Sequence, residues 1–330
     1  MVLCSLAMDA AGAALLEPVA DVVTAPDSGA ETMYRMAADA DYLLVRSALP
    51  VDLFERPNRL RGVVRNGTGV DLIPVASATA HGIPVANVPG INARAVAEYC
   101  LTSFLLLARR LGEMNTALHG QGWSPARALT GSAIELTGKT VGIVGVGAVG
   151  TALARICHDG FGMTIVGVHP RPERLPDFVK PVDLDTLFSR SDFISLNCPL
   201  TPATRHLVNA ERLARMKPEA ILVNAARGAV IDDVALAEAL RAKRIRGAAL
   251  DVFEPQPLAP DHPFLALDNV ILTPHAASLT RETTDKVSIA AARQILQLIE
   301  GIRPDHLVNP EVWERRAMAG SRAMASRAVP

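Results

Sequence analysis

The sequence predicts an α/β protein whose parallel sheets are covered by helices on both faces. Short β-branched runs alternate with stretches of helical apolar spacing almost from end to end, the pattern of repeated strand–helix–strand units. The runs fall into two series separated by a long helical pattern, so two sheets are expected. Length sets the scale: 330 residues, 49% apolar and 20% charged, make one large or two ordinary domains with ample core.

Strands are expected at residues 2–6, 22–24, 42–46, 62–65 and 84–87, then at 140–145, 163–168, 193–197, 220–224, 247–252 and 270–273. Between the two series the apolar spacing predicts one long helix over residues 93–119. Further helices are expected near 230–243 and 281–299, and no strand of the second series follows the last. A discontinuous first domain follows: residues 1–94 and 286–330, with a dinucleotide-binding domain, 95–285, inserted. The tail after Pro310 has no clean period and is expected to be an exposed, fraying helix.

Composition excludes several function classes. Lys and Arg total 33 against 34 for Asp and Glu, with three Tyr and two Trp, which is not the basic, aromatic face of a nucleic-acid binder. Cys4, Cys100, Cys157 and Cys198 have no short paired spacing, so neither a disulfide framework nor a metal site is expected. The N-terminus lacks the basic start of a signal peptide. The most apolar stretch, 95–108, contains Glu98 and runs into Arg109-Arg110, too short and polar to span a bilayer. A soluble, cytoplasmic protein with reduced thiols and no membrane partner is expected.

The strongest local signal is Gly145, Gly147 and Gly150 in G-x-G-x-x-G, with Ala148 and Val149 between the last two, directly after an apolar strand and directly before an amphipathic helix expected to start near Thr151. The first glycine permits a tight turn, the second lets backbone approach a pyrophosphate, and the third allows close helix–strand packing. The helix N-terminus then presents amides to the anion. The next strand should end in an acidic residue for the ribose hydroxyls of NAD. It ends instead in His169-Pro-Arg171-Pro-Glu-Arg174. Arg171 and Arg174 suit a 2′-phosphate, so the cofactor is expected to be NAD(H) or NADP(H), with NADP(H) favoured.

Six ordered motifs then carry a resemblance. They are Asn66-Gly-Thr-Gly-Val-Asp71; Pro89-Gly-Ile-Asn92 with Val96-Ala-Glu98; the glycine loop; Asn224-Ala-Ala-Arg-Gly228 with Ile231-Asp232; Ala249-Leu-Asp-Val-Phe253; and Thr273-Pro-His275. Together they resemble the D-isomer-specific 2-hydroxyacid dehydrogenases, over nearly the whole chain to about Pro310. The resemblance implies two doubly wound parallel-sheet domains, one flavodoxin-like and one Rossmann, an active-site cleft between them, and a homodimer.

Hydride transfer at C2 of a 2-hydroxy acid needs a carboxylate clamp, a proton carrier and a positioned nicotinamide. Arg227 matches the family's substrate arginine, whose guanidinium can grip a carboxylate in two places. His275 matches the acid/base histidine, a task suited to imidazole near neutral pH. Most relatives place a Glu five residues after the Asp of Asp-Val-Phe; counting from Asp251 lands on Gln256, with Glu254 as the less favoured substitute. A neutral amide orients the ring without favouring its charged form. Resemblance further assigns Thr68 and Gly69 to the substrate carboxylate and Asn92 to the same cleft. Asp251 and Ala225 match nicotinamide contacts; Cys198, Pro199 and Thr204 match the loop along the cofactor. Trp123 matches a residue that lines the partner's site in a dimer, or one that simply packs.

Arg46 and Arg65 match the phosphate-holding arginines of phosphoglycerate dehydrogenase. The expected substrate is therefore a small anionic 2-oxo or 2-hydroxy acid, phosphohydroxypyruvate first, with glyoxylate or hydroxypyruvate close behind. Formate ranks lower despite Gln256, because the long N-terminal extension of those enzymes is not seen. The alternative from a different class is a dinucleotide-sensing corepressor without turnover.

Overall fold

The computed structural model describes residues 1–315. The chain divides into two units, one formed by Met1–Asn92 with the segment from Thr280, the other by Ala93–Leu279.

The first unit opens with β1 (Val2–Cys4), α1 (Ala10–Leu16), β2 (Val22–Thr24), α2 (Ala30–Ala38), β3 (Tyr42–Val45), β4 (Gly62–Arg65), α3 (Val75–Ala80) and β5 (Val85–Ala86). Its sheet runs β2-β1-β3-β4-β5 with every pairing parallel. All residues of β1 and β3 are buried, which explains why these strands read as continuous apolar runs rather than alternations. The strand order reverses between β1 and β3, and a doubly wound sheet binds ligands beyond its carboxyl ends at such a reversal. Ser5, fully buried just after β1, stitches this point together: its Oγ accepts from the amides of Arg46 at 2.9 Å and Ser47 at 3.0 Å.

The second unit contains α4 (Ala93–Arg109), α5 (Leu111–Gln121), α6 (Trp123–Ala128), β6 (Thr140–Val144), α7 (Ala148–Phe161), β7 (Thr164–Val168) and β8 (Val179–Pro181). It continues with α8 (Leu184–Arg190), β9 (Phe193–Leu196), α9 (Ala210–Arg215), β10 (Ile221–Asn224), α10 (Asp233–Arg241), β11 (Gly247–Leu250) and β12 (Val270–Leu272). The seven strands run β12-β11-β10-β9-β6-β7-β8, all parallel. Successive side chains serve opposite faces. Ile194, Leu222 and Leu250 join one core while Phe193, Ile221, Val223 and Ala249 join the other. The order reverses between β6 and β9, where the glycine loop leaves the sheet.

Three expectations are corrected. The helix expected over 93–119 is two, because Arg110 adopts a left-handed φ of 52°; Arg246 donates to the last carbonyls of α4, Leu107 O and Ala108 O, both at 3.3 Å. The strand β8 is absent from the expected series, since it pairs only at an edge and ends in Pro181, which only an edge position tolerates. The helix expected from residue 230 starts at Asp233, because the Asp232 carboxylate accepts from the amide of Ala235 at 3.1 Å and caps it there.

The helix α11 (Arg281–Ile299) is capped by Thr280 and grouped with the first unit. The divisions thus fall at 92/93 and 279/280, where the expected boundaries are 94/95 and 285/286; a capped helix stays whole on one side. It crosses α1 so closely that a Cβ at Gly12 would lie 2.2 Å from Ser288 Oγ. Beyond it the chain returns along β5. Val308 N donates to Val85 O at 2.7 Å, Asn87 N to His306 O at 3.1 Å, and Ala86 bridges Leu307 in antiparallel fashion. Residues 310–315 are helical, but Val312 is buried, so this turn is not the exposed helix expected after Pro310; the remainder of that tail, 316–330, lies outside the described residues. Among the described residues no helix is long and apolar enough to cross a membrane.

Candidate active site

Each unit carries its own group of candidate residues, at the carboxyl ends of its strands. In the second unit Gly145 takes a φ of +93°, and a Cβ there would meet the Asn197–Cys198 backbone at 2.8 Å. A Cβ at Gly150 would lie 2.5 Å from Gly145 O. Gly147 differs: a Cβ would meet nothing within 4 Å and its φ of −88° suits any residue. Two glycines are therefore required by the protein itself, and the third leaves open space above exposed backbone. No side chain caps α7, so the amides of Ala148, Val149 and Gly150 have no intrahelical acceptor. This loop fits the pyrophosphate of a dinucleotide.

Beside it, β7 is followed by His169, whose Nδ1 lies 3.0 Å from the amide of Arg171 and 2.9 Å from its carbonyl oxygen. Arg171 and Arg174 are exposed, and the residue directly after the strand is His169 rather than an acid. The neighbouring loop is shaped by Thr204, whose Oγ1 donates to Pro199 O at 2.7 Å and accepts from Thr201 N at 2.8 Å. Cys198 at its start is buried, and burial pushes its thiol up to about 11. Such a thiol is an inert packing group at neutral pH.

The ends of the adjacent strands β10, β11 and β12 bring the acid/base candidates together. Asn224, fully buried, accepts from Ala226 N at 3.0 Å and donates to Arg227 O at 2.9 Å. It thereby fixes the turn that carries Ala225 and Arg227. The Arg227 guanidinium donates to Ala226 O at 2.7 Å. At Gly228 a Cβ would fall 2.1 Å from the Phe253 carbonyl carbon, so only glycine lets this turn lie against the segment leading to Gln256. His275 Nδ1 is 3.1 Å from Gln256 Oε1, and since that oxygen only accepts, the ring nitrogen donates. Glu254 turns elsewhere, forming a two-point ion pair with Arg205 at 2.8 and 3.0 Å. Of the two residues weighed beside the histidine, Gln256 is the one in contact.

Asp251, expected as a cofactor contact, anchors the histidine turn. Its carboxylate is 1% exposed and accepts from Thr273 Oγ1 at 2.6 Å, Ala276 N at 2.7 Å and Ala277 N at 2.9 Å. Its carbonyl accepts from His275 N at 2.8 Å. These bonds hold His275 at a φ of +55°, a conformation that persists only where surroundings impose it. Tyr99 extends the network, its hydroxyl 2.7 Å from Thr273 Oγ1, and burial pushes that phenol up to about 12.

In the first unit all four carbonyls of the loop 66–69 accept hydrogen bonds. Arg65 donates from Nη1 to Asn66 O at 2.8 Å and from Nε to Gly69 O at 3.0 Å. Val88 N donates to Gly67 O at 2.9 Å, and Asn87 Nδ2 to Thr68 O at 2.7 Å. The amides of Asn66 and Gly67 bond to Val45 O and Arg65 O, whereas no acceptor among the described residues takes those of Thr68 and Gly69. The Thr68 hydroxyl donates to Val88 O at 3.1 Å and stands 3.3 Å from Asn92 Oδ1. Arg65, expected to hold a substrate phosphate, grips this loop, with Nη1 also donating to Val45 O at 2.9 Å. Arg46 donates to Ala7 O.

Sequence reasoning assigns no role to Asn224, Thr273, Tyr99 or Asn87. Asn224 and Thr273 lie within quoted motifs, so position could have flagged them; Asn87, a lone polar residue at a strand end, gives no signal.

A reversing parallel sheet, an uncapped helix behind a glycine loop, and an imidazole beside a guanidinium turn define a dinucleotide-dependent α/β enzyme. A family model described as D-isomer specific 2-hydroxyacid dehydrogenase, NAD binding domain, matches residues 101–277. A D-3-phosphoglycerate dehydrogenase of Methanocaldococcus jannaschii is 40% identical over 301 residues, covering 89% of this chain but only 56% of that protein. A glyoxylate reductase of Aeropyrum pernix is 41% identical over 300 residues, covering 87% and 88%. The solved structure of an NADPH-dependent glyoxylate/hydroxypyruvate reductase from Sinorhizobium meliloti, in complex with NADP and malonate, is 28% identical. It superposes with a TM-score of 0.82 over 93% of this chain and 96% of that one. The chain belongs to the D-isomer specific 2-hydroxyacid dehydrogenase family.

Proposed function

We propose that the protein interconverts a small 2-oxo acid and its D-2-hydroxy acid using NAD(H) or NADP(H). The carrying observation is that adjacent ends of β10, β11 and β12 bring together the Arg227 turn, Gln256 and His275. With Nδ1 donating to Gln256, ring rotation is fixed, and Nε2 is the nitrogen that would exchange a proton with the C2 oxygen. In reduction the protonated ring gives that proton; in oxidation the neutral ring takes it. Arg227 would grip the carboxylate and polarise the carbonyl, and in the first unit the amides of Thr68 and Gly69 are the candidate donors to a carboxylate. The bound dinucleotide supplies the hydride in reduction and accepts it in oxidation.

Arg171 and Arg174, with His169 rather than an acid directly after β7, support NADP(H) over NAD(H), and the S. meliloti relative forms its complex with NADP. Buried thiols support a cytoplasmic setting. Exposed Leu111, Leu118 and Trp123 on α5 and α6 support a homodimer.

For substrate, Arg46 and the phosphoglycerate dehydrogenase relative support phosphohydroxypyruvate. One observation favours glyoxylate or hydroxypyruvate as a second reading: Arg65 spends Nε and Nη1 on main-chain carbonyls. Assaying phosphohydroxypyruvate, hydroxypyruvate and glyoxylate with NADH and NADPH in parallel tests both choices. Turnover of at least one acid, faster with NADPH, is expected; no oxidation of either nucleotide with any acid would sink the proposal.

A further inference from the structure

The amides of Thr68 and Gly69 belong to two successive peptides, whose carbonyls are Gly67 O and Thr68 O. In a planar trans peptide the amide points away from the carbonyl, so whatever holds one sets the other. Both carbonyls are held by the two residues that follow β5. Val88 N donates to Gly67 O at 2.9 Å, and Asn87 Nδ2 donates to Thr68 O at 2.7 Å. Arg65 meets Asn66 O and Gly69 O, whose peptides carry the Gly67 and Val70 amides. It steadies the loop on either side of the pair and leaves the pair itself to residues 87 and 88.

The two bonds differ in kind. The first runs from main chain to main chain, and any residue at 88 except proline can make it. The second depends on one side chain, and it falls on the peptide most able to turn over. Flipping the 68–69 peptide changes ψ of Thr68 and φ of Gly69, and glycine accepts φ of either sign. A flipped peptide would present Thr68 O where the Gly69 amide stood, and would repel a carboxylate instead of binding it. The Asn87 bond opposes that flip. Asn87 is itself fixed through its main chain. Its N donates to His306 O at 3.1 Å, and its O accepts from Nε2 of Gln294, a residue of α11 that is 3% exposed. Gln294 Oε1 accepts in turn from His306 N at 3.1 Å.

We infer that Asn87 is a positioning residue for the substrate carboxylate: by holding Thr68 O, it keeps the Gly69 amide turned outward to donate. The inference rests on the 2-hydroxyacid dehydrogenase reading. A side-chain amide is the group required, because an ionised carboxylate of the same shape has no hydrogen to give and would repel Thr68 O.

Steady-state kinetics of Asn87→Ala and Asn87→Asp tests it, on whichever of glyoxylate, hydroxypyruvate and phosphohydroxypyruvate the wild type reduces. Asn87→Ala removes the donor without adding charge. Its KM should rise about tenfold, by the same factor for every acid because the carboxylate is common to all, with kcat changed by less than about threefold. Asn87→Asp, closer in shape, should raise KM further. Dinucleotide Kd, which reads the second unit, should stay unchanged in both, as it would not in a misfolded chain. Unchanged KM values, a rise for only some of the acids, an effect confined to kcat, or equal loss of dinucleotide binding overturns the inference. If the wild type reduces no 2-oxo acid, the underlying reading fails instead. Calorimetric titration with oxamate then decides the role of Asn87: weaker binding to Asn87→Ala than to wild type supports it, and equal or absent binding overturns it.

Discussion

The glycine loop of the second unit and the 66–69 loop of the first offer backbone amides to an anion, yet they are built differently. Around Gly145–Gly150 the geometry comes from missing side chains: two glycines leave room for backbone, and α7 behind them aligns its amides and dipole. No helix follows residue 69 directly, and the geometry comes from side chains present, Arg65 and Asn87, that pull carbonyls aside. The first design is fragile to added atoms and the second to removed ones. A glycine signature is visible in a sequence; an arginine turned inward onto main chain is not.

Breaking the first loop should give the largest effect. Gly145→Ala demands a left-handed alanine and drives its Cβ into the Asn197–Cys198 backbone. A loss of about 3 kcal/mol or more in stability is expected, with dinucleotide binding abolished; urea unfolding and fluorescence titration read both. Gly147→Ala should separate protein from ligand. Its Cβ meets nothing, so stability should hold or rise by about 0.5 kcal/mol. Dinucleotide Kd should nevertheless rise about tenfold, because that open space is where a pyrophosphate approaches. If affinity is unmoved, the phosphate does not lie over Gly147.

The smallest effect is expected where a side chain is exchanged without disturbing either loop. Gln256→Glu places a carboxylate beside His275 Nδ1, and a negative neighbour favours imidazolium. Reduction needs the protonated ring, so its rate should persist to higher pH, the falling limb moving up by about one unit. Oxidation, which needs the neutral ring, should begin at correspondingly higher pH. Profiles of kcat/KM in both directions check this; an unmoved limb would show that the pair does not set the titration.

The strands β2 and β4 are legible to the residue, because buried parallel strands are short apolar runs bounded by turn chemistry. The glycine loop is legible because steric demands act through residue type. Arg110 hides the break between α4 and α5, since nothing in arginine itself asks for a left-handed φ. The same limit applies to function. Asp251 reads as a cofactor contact in the sequence, and only its three donors reveal an anchor. Whether Glu254 or Gln256 meets His275 depends on Arg205, 49 positions from Glu254 along the chain. Long-range partners decide such roles, and local pattern has no access to them.

The antiparallel return of residues 306–308 along β5 has a consequence for biosynthesis. β5 is the outer strand of its sheet, and an uncovered strand edge is a template for intermolecular pairing. During translation residues 1–92 emerge first, but the segment that covers this edge follows only after the whole second unit has been made. At about 5–20 residues per second, the nascent sheet waits roughly ten to forty seconds for its cover. In that interval the second unit can fold while the first remains the portion most in need of a chaperone.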